Sequence, residues 1–224
     1  AMSAAFRAFH EEMGTRLRLG TSAKEIAPRG EGFSLTLSDG EVLGTDAVVV
    51  AAGVVPNVEL AVEAGLAIDN GVSVDALLLT SDSAISAIGD CASHPNPFGG
   101  DGPVRLESVQ NAVDQGKCVA ARLTGNPRAY NALPWFWSHQ GAIKLQIAGL
   151  SLGMDETVTR GDPASGKFSV FVYRKGKLIA VESVNSPADH MVARRLIAAG
   201  VTLPKEIAAD PAVDLKALMP KAAA

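Results

Sequence analysis

The stretch Asp46-Ala-Val-Val-Val-Ala-Ala-Gly53 is a continuous apolar run that ends on glycine. Such a run is typical of a strand in a parallel sheet that is covered on both faces. It follows a predicted helix over residues 3–13, short predicted strands at 16–19 and 23–27, and a hairpin that turns at Asp39-Gly40. Elements in this order predict an α/β domain.

A second apolar run, residues 84–90, ends on Gly89-Asp90 and predicts another buried strand. Ligands of open α/β sheets bind beyond the carboxyl ends of the strands. The carboxylate of Asp90 is therefore expected to accept hydrogen bonds from sugar hydroxyls. A helix cap or a loop brace is the structural alternative for this residue.

A long amphipathic helix is predicted from Glu107 to about Leu123. The free N–H groups and the dipole at its start, around Ser108 and Val109, favour electron-rich oxygens. The alternative is plain capping, with Glu107 in the first turn complementing the dipole. Arg105 and Glu107 could also form a surface ion pair that contributes little.

The segment Pro134-Trp-Phe-Trp-Ser138 holds both tryptophans of the chain. Strand alternation places Trp135 and Trp137 on one face and directs Phe136 towards the core. The indoles then cover a flat ligand or meet a partner, or else they pack in a core or dimer interface.

An α+β unit is predicted from the segment after Tyr130. Its strands are expected at 135–140, 143–148, 156–160, 168–173 and 178–184. A helix is expected at 188–199, with Met191, Val192, Leu196 and Ile197 inward.

Composition excludes several classes of protein. The 224 residues are 47% hydrophobic and 20% charged, which excludes bulk disorder, and a net charge of -4 argues against nucleic-acid binding. No apolar stretch is long enough to span a bilayer, and no secretory leader is evident. Cys91 and Cys118 form no C-x-x-C pair, which fits a reducing cytoplasm. The histidines lack metal-ligand spacing, so no metal site is predicted.

Seven segments together resemble the flavin-dependent, NADH-using reductases that supply electrons to [2Fe–2S] ferredoxins or rubredoxins. The resemblance is to the putidaredoxin reductase and biphenyl dioxygenase ferredoxin reductase type. The segments are AAGVVPN at 51–57, AGLAIDNGVSVD at 64–75, TSDSAISAIGDCA at 80–92, RLESVQNAVDQG at 105–116, PWFWSHQ at 134–140, KLQIAGL at 144–150 and FSVFVYRKGKLIAVESVN at 168–185. Their order and spacing extend through nearly the whole chain.

This resemblance implies three segments. Residues 1–56 would be the C-terminal half of the NAD-binding domain, residues 57–130 the C-terminal segment of the FAD-binding domain, and residues 131–224 the C-terminal domain that covers the flavin and docks the redoxin. The implied fold class is α/β, with partial Rossmann-like FAD- and NAD(P)-binding domains, followed by an α+β C-terminal reductase domain.

The resemblance also implies site roles, with FAD and NAD(P)H as cofactors. Asp90 would hold the ribityl and pyrophosphate region of FAD, and the N–H of Val109 would meet the flavin's pyrimidine edge. Glu107, near the nicotinamide, and Trp137, beside the isoalloxazine, are the implied catalytic residues. The full implied cofactor-binding set is Gly53, Gly89, Asp90, Glu107, Ser108, Val109 and Trp137.

Two departures from the family pattern affect these expectations. His139 stands where the family usually has an acidic or amide residue, and neither glycine-rich phosphate loop occurs in the chain. The chain alone is therefore expected to be inactive. The alternatives are a cofactor-free dimerisation or redoxin-binding module, which includes a homodimer, and a relative with another acceptor such as rubredoxin or monodehydroascorbate.

We expect this chain alone to bind FAD weakly or not at all, because the loops that hold the pyrophosphate are missing from it. A spectrophotometric titration with FAD measures this. A stoichiometric yellow complex would refute the expectation.

Overall fold

The computed structural model describes residues 1–100 and 102–218, which form two compact units. One unit comprises residues 6–55, and the other comprises residues 1–5 and the chain from Pro56 onward. Helix α1, Met2–Glu12, confirms the predicted first helix.

The unit of residues 6–55 contains a three-stranded antiparallel sheet. Its strands are β1 (Ala23–Arg29), β2 (Gly32–Leu37) and β3 (Val42–Thr45), in that order. The predicted hairpin is confirmed: Gly40 has φ +90°, and Asp39 Oδ1 accepts the N–H of Glu41 at 3.0 Å.

Two strands predicted in this unit are wrong. Residues 16–19 and 46–53 form no strand, and Val49 and Val50 are 90% and 75% exposed. A buried parallel strand needs a neighbour that supplies backbone partners, and no strand of the described residues pairs with either segment. Apolar composition indicates burial, but it does not supply the neighbouring strand.

The second unit begins with α2 (Glu59–Glu63) and a small sheet. In this sheet β5 (Ala92–His94) lies between β4 (Val72–Ser73), which is parallel to it, and β6 (Val104–Arg105), which is antiparallel. Helix α3, Val109–Leu123, follows and confirms the predicted long helix.

The predicted strand over residues 84–90 is also wrong. The N–H of Thr80 donates to the carbonyl of Ile85 at 3.0 Å, and Asp82 Oδ1 accepts the N–H of Ala84 at 2.8 Å, so a tight turn occupies the start of this run. Gly89–Cys91 forms a single 3-10 turn. Asp90 therefore precedes β5 instead of ending a strand.

The rest of the second unit is a five-stranded antiparallel sheet, which confirms all five predicted strands. The strands are β7 (Trp135–Gln140), β8 (Ile143–Gly149), β9 (Glu156–Asp162), β10 (Lys167–Arg174) and β11 (Lys177–Val184), in the order β7-β8-β11-β10-β9. Helices α4 (Pro187–Ala198) and α5 (Lys205–Ala209) follow.

The main core lies between this sheet and α4. Phe171, Tyr173, Val181 and Leu196 are at most 1% exposed, and each such side chain stabilises the fold by about 1.5–3 kcal/mol through burial. Tyr173 OH donates to the carbonyl of Leu203 at 2.9 Å, so its polar atom is satisfied as well. The core provides a rigid base for the edge strand β7.

The predicted inward face of α4 is confirmed for three of its four residues. Val192, Leu196 and Ile197 are buried, but Met191 is 49% exposed, so its prediction is wrong. Met191 lies beyond the edge of the stripe that contacts the sheet. No helix in the described ranges is long and apolar enough to cross a membrane.

Candidate functional site

One open cavity of about 400 Å³ in the second unit collects most of the predicted site residues. Its walls come from three separate parts of the chain: the turn before β5, the start of α3, and the edge strand β7. The lining residues are Asp90, Glu107, Ser108, Val109, Ala112, Val113, Phe136 and Trp137. The sequence motifs singled out separately thus meet around a single cleft.

Arg105 connects the two acidic residues of this cavity. Its Nη1 donates to the backbone carbonyl of Asp90 at 2.9 Å and to Glu107 Oε1 at 2.7 Å. The Arg105 side chain is only 11% exposed, whereas that of Glu107 is 40% exposed. The pair is therefore more than a solvent-exposed ion pair, because a largely buried guanidinium fixes both walls.

Ser108 and Val109 form the start of α3. The Ser108 hydroxyl accepts the N–H of Asn111 at 3.1 Å, which makes Ser108 the N-cap. Glu107 therefore precedes the helix, and its predicted place in the first turn is wrong. Val109 is the first helical residue, and the first N–H groups of a helix lack partners within it. The positive end of the helix dipole therefore lies at the cavity wall.

The aromatic wall is built on β7. The rings of Trp135 and Trp137 are stacked, with centroids 5.1 Å apart and an interplanar angle of 29°, as strand alternation predicts. Trp135 packs against the main core, and Trp137 is 38% exposed. Phe136 was predicted to fill core, which is wrong: it is 42% exposed and lines the cavity together with Trp137.

The two glycines of the predicted set lie outside the cavity lining. Gly89 is buried, with φ +75°, and its N–H donates to Gln115 Oε1 at 2.6 Å. Its contribution is to hold the turn that presents Asp90. Gly53 belongs to the unit of residues 6–55, and its role at the nicotinamide nucleotide stays a prediction.

Three buried amide side chains of α3 hold structural positions next to the cavity that hydrophobic periodicity missed. Gln110, Asn111 and Gln115 are buried, whereas Val109 and Val113 of the apolar stripe are 64% and 49% exposed. The apolar side chains at the start of α3 line the cavity, and the amide side chains are buried. Buried amides need partners, so the run Gln-Asn followed by Gln on one helix was the available signal.

These amides connect α3 to its surroundings. Gln110 Oε1 accepts the backbone N–H of Trp135 at 3.1 Å, and Asn111 Oδ1 accepts the hydroxyl of Tyr130 at 3.0 Å. The Gln115 amide donates to His94 Nδ1 at 3.2 Å. This contact leaves the proton of a neutral His94 on Nε2, and burial lowers the pKa of that ring.

Charged groups flank the aromatic wall. Burial alone would raise the pKa of Asp114, but hydrogen bonds from Gln110 and Lys117 and the charge of Arg194 outweigh it, so the pKa is lowered.

A second cavity of about 260 Å³ shares Glu107, Ser108 and Phe136 with the first. It is largely apolar, and burial raises the pKa of Glu182 in its lining.

Comparison with known proteins identifies the class. Residues 1–116 match the profile of the pyridine nucleotide-disulphide oxidoreductases, and residues 135–219 match that of the reductase C-terminal domain. The chain belongs to the pyridine nucleotide-disulphide oxidoreductase family, whose members use FAD and NAD(P)H. The predicted family and the predicted fold class, α/β followed by a C-terminal reductase domain, are confirmed.

Particular relatives are ferredoxin-type reductases. The chain is similar to rhodocoxin reductase of Rhodococcus erythropolis, with 52% identity over 216 residues, 96% of this chain and 50% of that protein. It is also similar to the ferredoxin reductase for the CYP199A2 system of Rhodopseudomonas palustris, with 49% identity and a TM-score of 0.94 over 98% of this chain and 54% of that one.

A third similar structure is the covalent putidaredoxin reductase–putidaredoxin complex. It is 35% identical, with a TM-score of 0.91 over 96% of this chain and 52% of that one. The chain thus spans about half the length of the relatives it matches.

The buried His190 behind Trp135 makes stability depend on pH. Its ring centroid lies 6.5 Å from that of Trp135, and its Nδ1 lacks a hydrogen-bond partner among the described residues. Burial, and secondly the charge of Arg194, lowers its pKa from 6.5 to about 4. As pH falls, the unfolded chain therefore takes up the proton before the folded chain does. The contribution of neutral His190 to stability is fully present above the pKa of the unfolded chain, and it is lost as pH falls from that pKa towards the pKa of the folded chain.

We expect His190→Phe to reduce this dependence. Between pH 7 and pH 5 the wild type should lose about 2 kcal/mol more unfolding free energy than the variant, as the shift of pKa implies. Urea unfolding of both proteins at the two pH values measures the difference. Equal losses in wild type and variant would show that His190 is not the group responsible.

Proposed function

We propose that this chain supplies the flavin-facing C-terminal half of an FAD-dependent reductase that passes electrons from NAD(P)H to a [2Fe–2S] ferredoxin or a similar redoxin. Support comes from the names of the relatives, which are rhodocoxin and ferredoxin reductases. The single observation that carries the proposal is the cavity in which Asp90, the start of α3 and Trp137 meet.

The donor set of this cavity fits a flavin. The exposed carboxylate of Asp90 suits ribityl hydroxyls, the positive end of α3 at Val109 suits the electron-rich pyrimidine edge, and the indole of Trp137 suits the flat tricyclic ring. The chemistry that FAD supplies when bound is the exchange of a two-electron hydride for single electrons. The residues of this chain would bind the flavin and orient its ring.

Glu107 and Trp137 are the residues we assign closest to the reacting groups. Arg105 fixes the Glu107 carboxylate at the rim, where it would border the nicotinamide pocket. Trp137 is the most exposed part of the tryptophan stack, on the side where a redoxin would approach. By the family resemblance, Gly53 would border the nicotinamide nucleotide, because glycine allows close backbone approach.

The partner class follows from the same comparison. One similar structure is a reductase covalently joined to putidaredoxin, and we propose that a redoxin of this iron–sulfur class is the acceptor. A rubredoxin is the competing acceptor, and the cytoplasm is the proposed compartment. The proposal does not require a homodimer.

We expect Asp90→Ala in the full-length reductase to weaken FAD binding by about 10- to 100-fold, since a hydrogen bond to a charged group contributes about 1.5–3 kcal/mol. Fluorescence titration of the apoprotein with FAD measures the affinity. Asp69→Ala is the matched control, because Asp69 is an exposed carboxylate of the same unit outside the cavity lining.

Stopped-flow mixing of the reduced protein with a [2Fe–2S] ferredoxin and, separately, with a rubredoxin tests the acceptor. Faster reduction of the ferredoxin supports the proposal. A full-length protein that binds no flavin, or that reduces neither acceptor, contradicts it and favours the cofactor-free binding module.

A further inference from the structure

Arg194 of α4 lies over the aromatic wall of the candidate site. Its Cζ is 4.6 Å from the ring centroid of Trp135, within the range of a cation–π contact. In the part of the chain that the structure describes, Arg194 forms no hydrogen bond or ion pair. The half-buried guanidinium is therefore placed by the indole rather than by a carboxylate.

Trp135 transmits this contact to the cavity. Its ring stacks on that of Trp137 at 5.1 Å, its backbone N–H is held by Gln110, and part of its side chain packs against the main core. Trp137 is 38% exposed and lines the cavity. A half-exposed indole has several staggered orientations open to it, and the stack on Trp135 selects one.

The surroundings of Arg194 favour the cationic contact. A separate cavity of about 440 Å³ is lined by Arg194, Arg195, Asp114 and Gln110, with apolar side chains between them. Asp114 is close enough for the charge of Arg194 to lower its pKa, and it is itself paired with Lys117 at 3.1 Å. The carboxylate thus balances the guanidinium electrostatically while leaving its planar face to Trp135.

We propose that Arg194 is a positioning residue, whose guanidinium holds the ring of Trp135 and, through the stack, fixes the indole of Trp137 as a wall of the cavity. The contribution of this wall to flavin binding rests on the proposed function. The positioning itself does not, because it concerns contacts within this chain alone.

The tryptophan content of the chain makes the positioning directly measurable. Trp135 and Trp137 are its only two tryptophans, so an exciton couplet between indole transitions in circular dichroism reports on their stack. A cation–π contact at a partly exposed site shifts a conformational equilibrium by about two- to fivefold. We expect Arg194→Met to lower the couplet amplitude clearly below that of the wild type, with an unchanged helix signal.

Two variants control this experiment. Arg195→Met removes the same charge from the next residue of α4 and should leave the couplet at wild-type amplitude, whereas Arg194→Lys keeps a cation and should retain more of it than Arg194→Met. An unchanged couplet in Arg194→Met, or an equal loss in Arg195→Met, overturns the proposal. If Arg194→Met does not fold, Arg194→Gln replaces it with the same expectations.

A second measurement isolates Trp137. In the Trp135→Leu background Trp137 is the sole indole and the intermediate aromatic ring is gone, so adding Arg194→Met should increase its quenching by acrylamide less than twofold. A larger increase would mean that Arg194 acts on Trp137 by another route, which overturns the proposal. Both measurements omit flavin, so failure of the proposed function would leave their outcomes unchanged.

Discussion

Three buried amide side chains of α3 hold the candidate site together. Gln110 binds the backbone of β7, Asn111 binds the hydroxyl of Tyr130, and Gln115 binds the turn that carries Asp90. An unsatisfied buried polar group costs about 1–3 kcal/mol, so each amide strongly favours the arrangement that pairs it. The start of α3 is one cavity wall, and Gln115 and Gln110 connect this helix to the other two walls, the turn before β5 and strand β7.

The buried contacts behind the cavity wall explain how exposed side chains keep a defined arrangement around it. Asp90 and Glu107 are both exposed carboxylates, but the largely buried Arg105 binds one backbone and one side chain of the pair. The tryptophans of β7 are fixed from behind by the core and by Arg194. Polar, cationic and aromatic contacts therefore determine the shape of the cavity, and its hydrophobic lining is left free to meet a ligand.

The elements that the sequence predicted correctly are those whose signal is local. The strands from residue 135 onward alternate and are separated by recognisable turns, and α3 has a helical period and a capping serine. The convergence of Asp90, residues 107–109 and Trp137 on one cavity was also predictable, through the family resemblance.

The wrong predictions share a physical reason. Apolar composition does not identify the strand or core surface against which a segment would pack. Residues 46–53 and 84–90 are apolar enough for buried strands, but backbone pairing depends on neighbours that composition cannot name. Phe136 and Met191 are exposed because their faces lie beyond the core contact. The amides of α3 were missed because a hydrophobic period treats buried glutamine and asparagine as surface residues.

Amide hydrogen exchange, followed by NMR on this chain, tests the central role of α3 most directly. The backbone N–H groups of Gly89 and Trp135 lie outside α3, yet each donates to a glutamine side chain of α3. The account predicts that both are protected to the same order as amides in the middle of α3, since all would open together. Exchange of either amide at the rate of an exposed loop would contradict it.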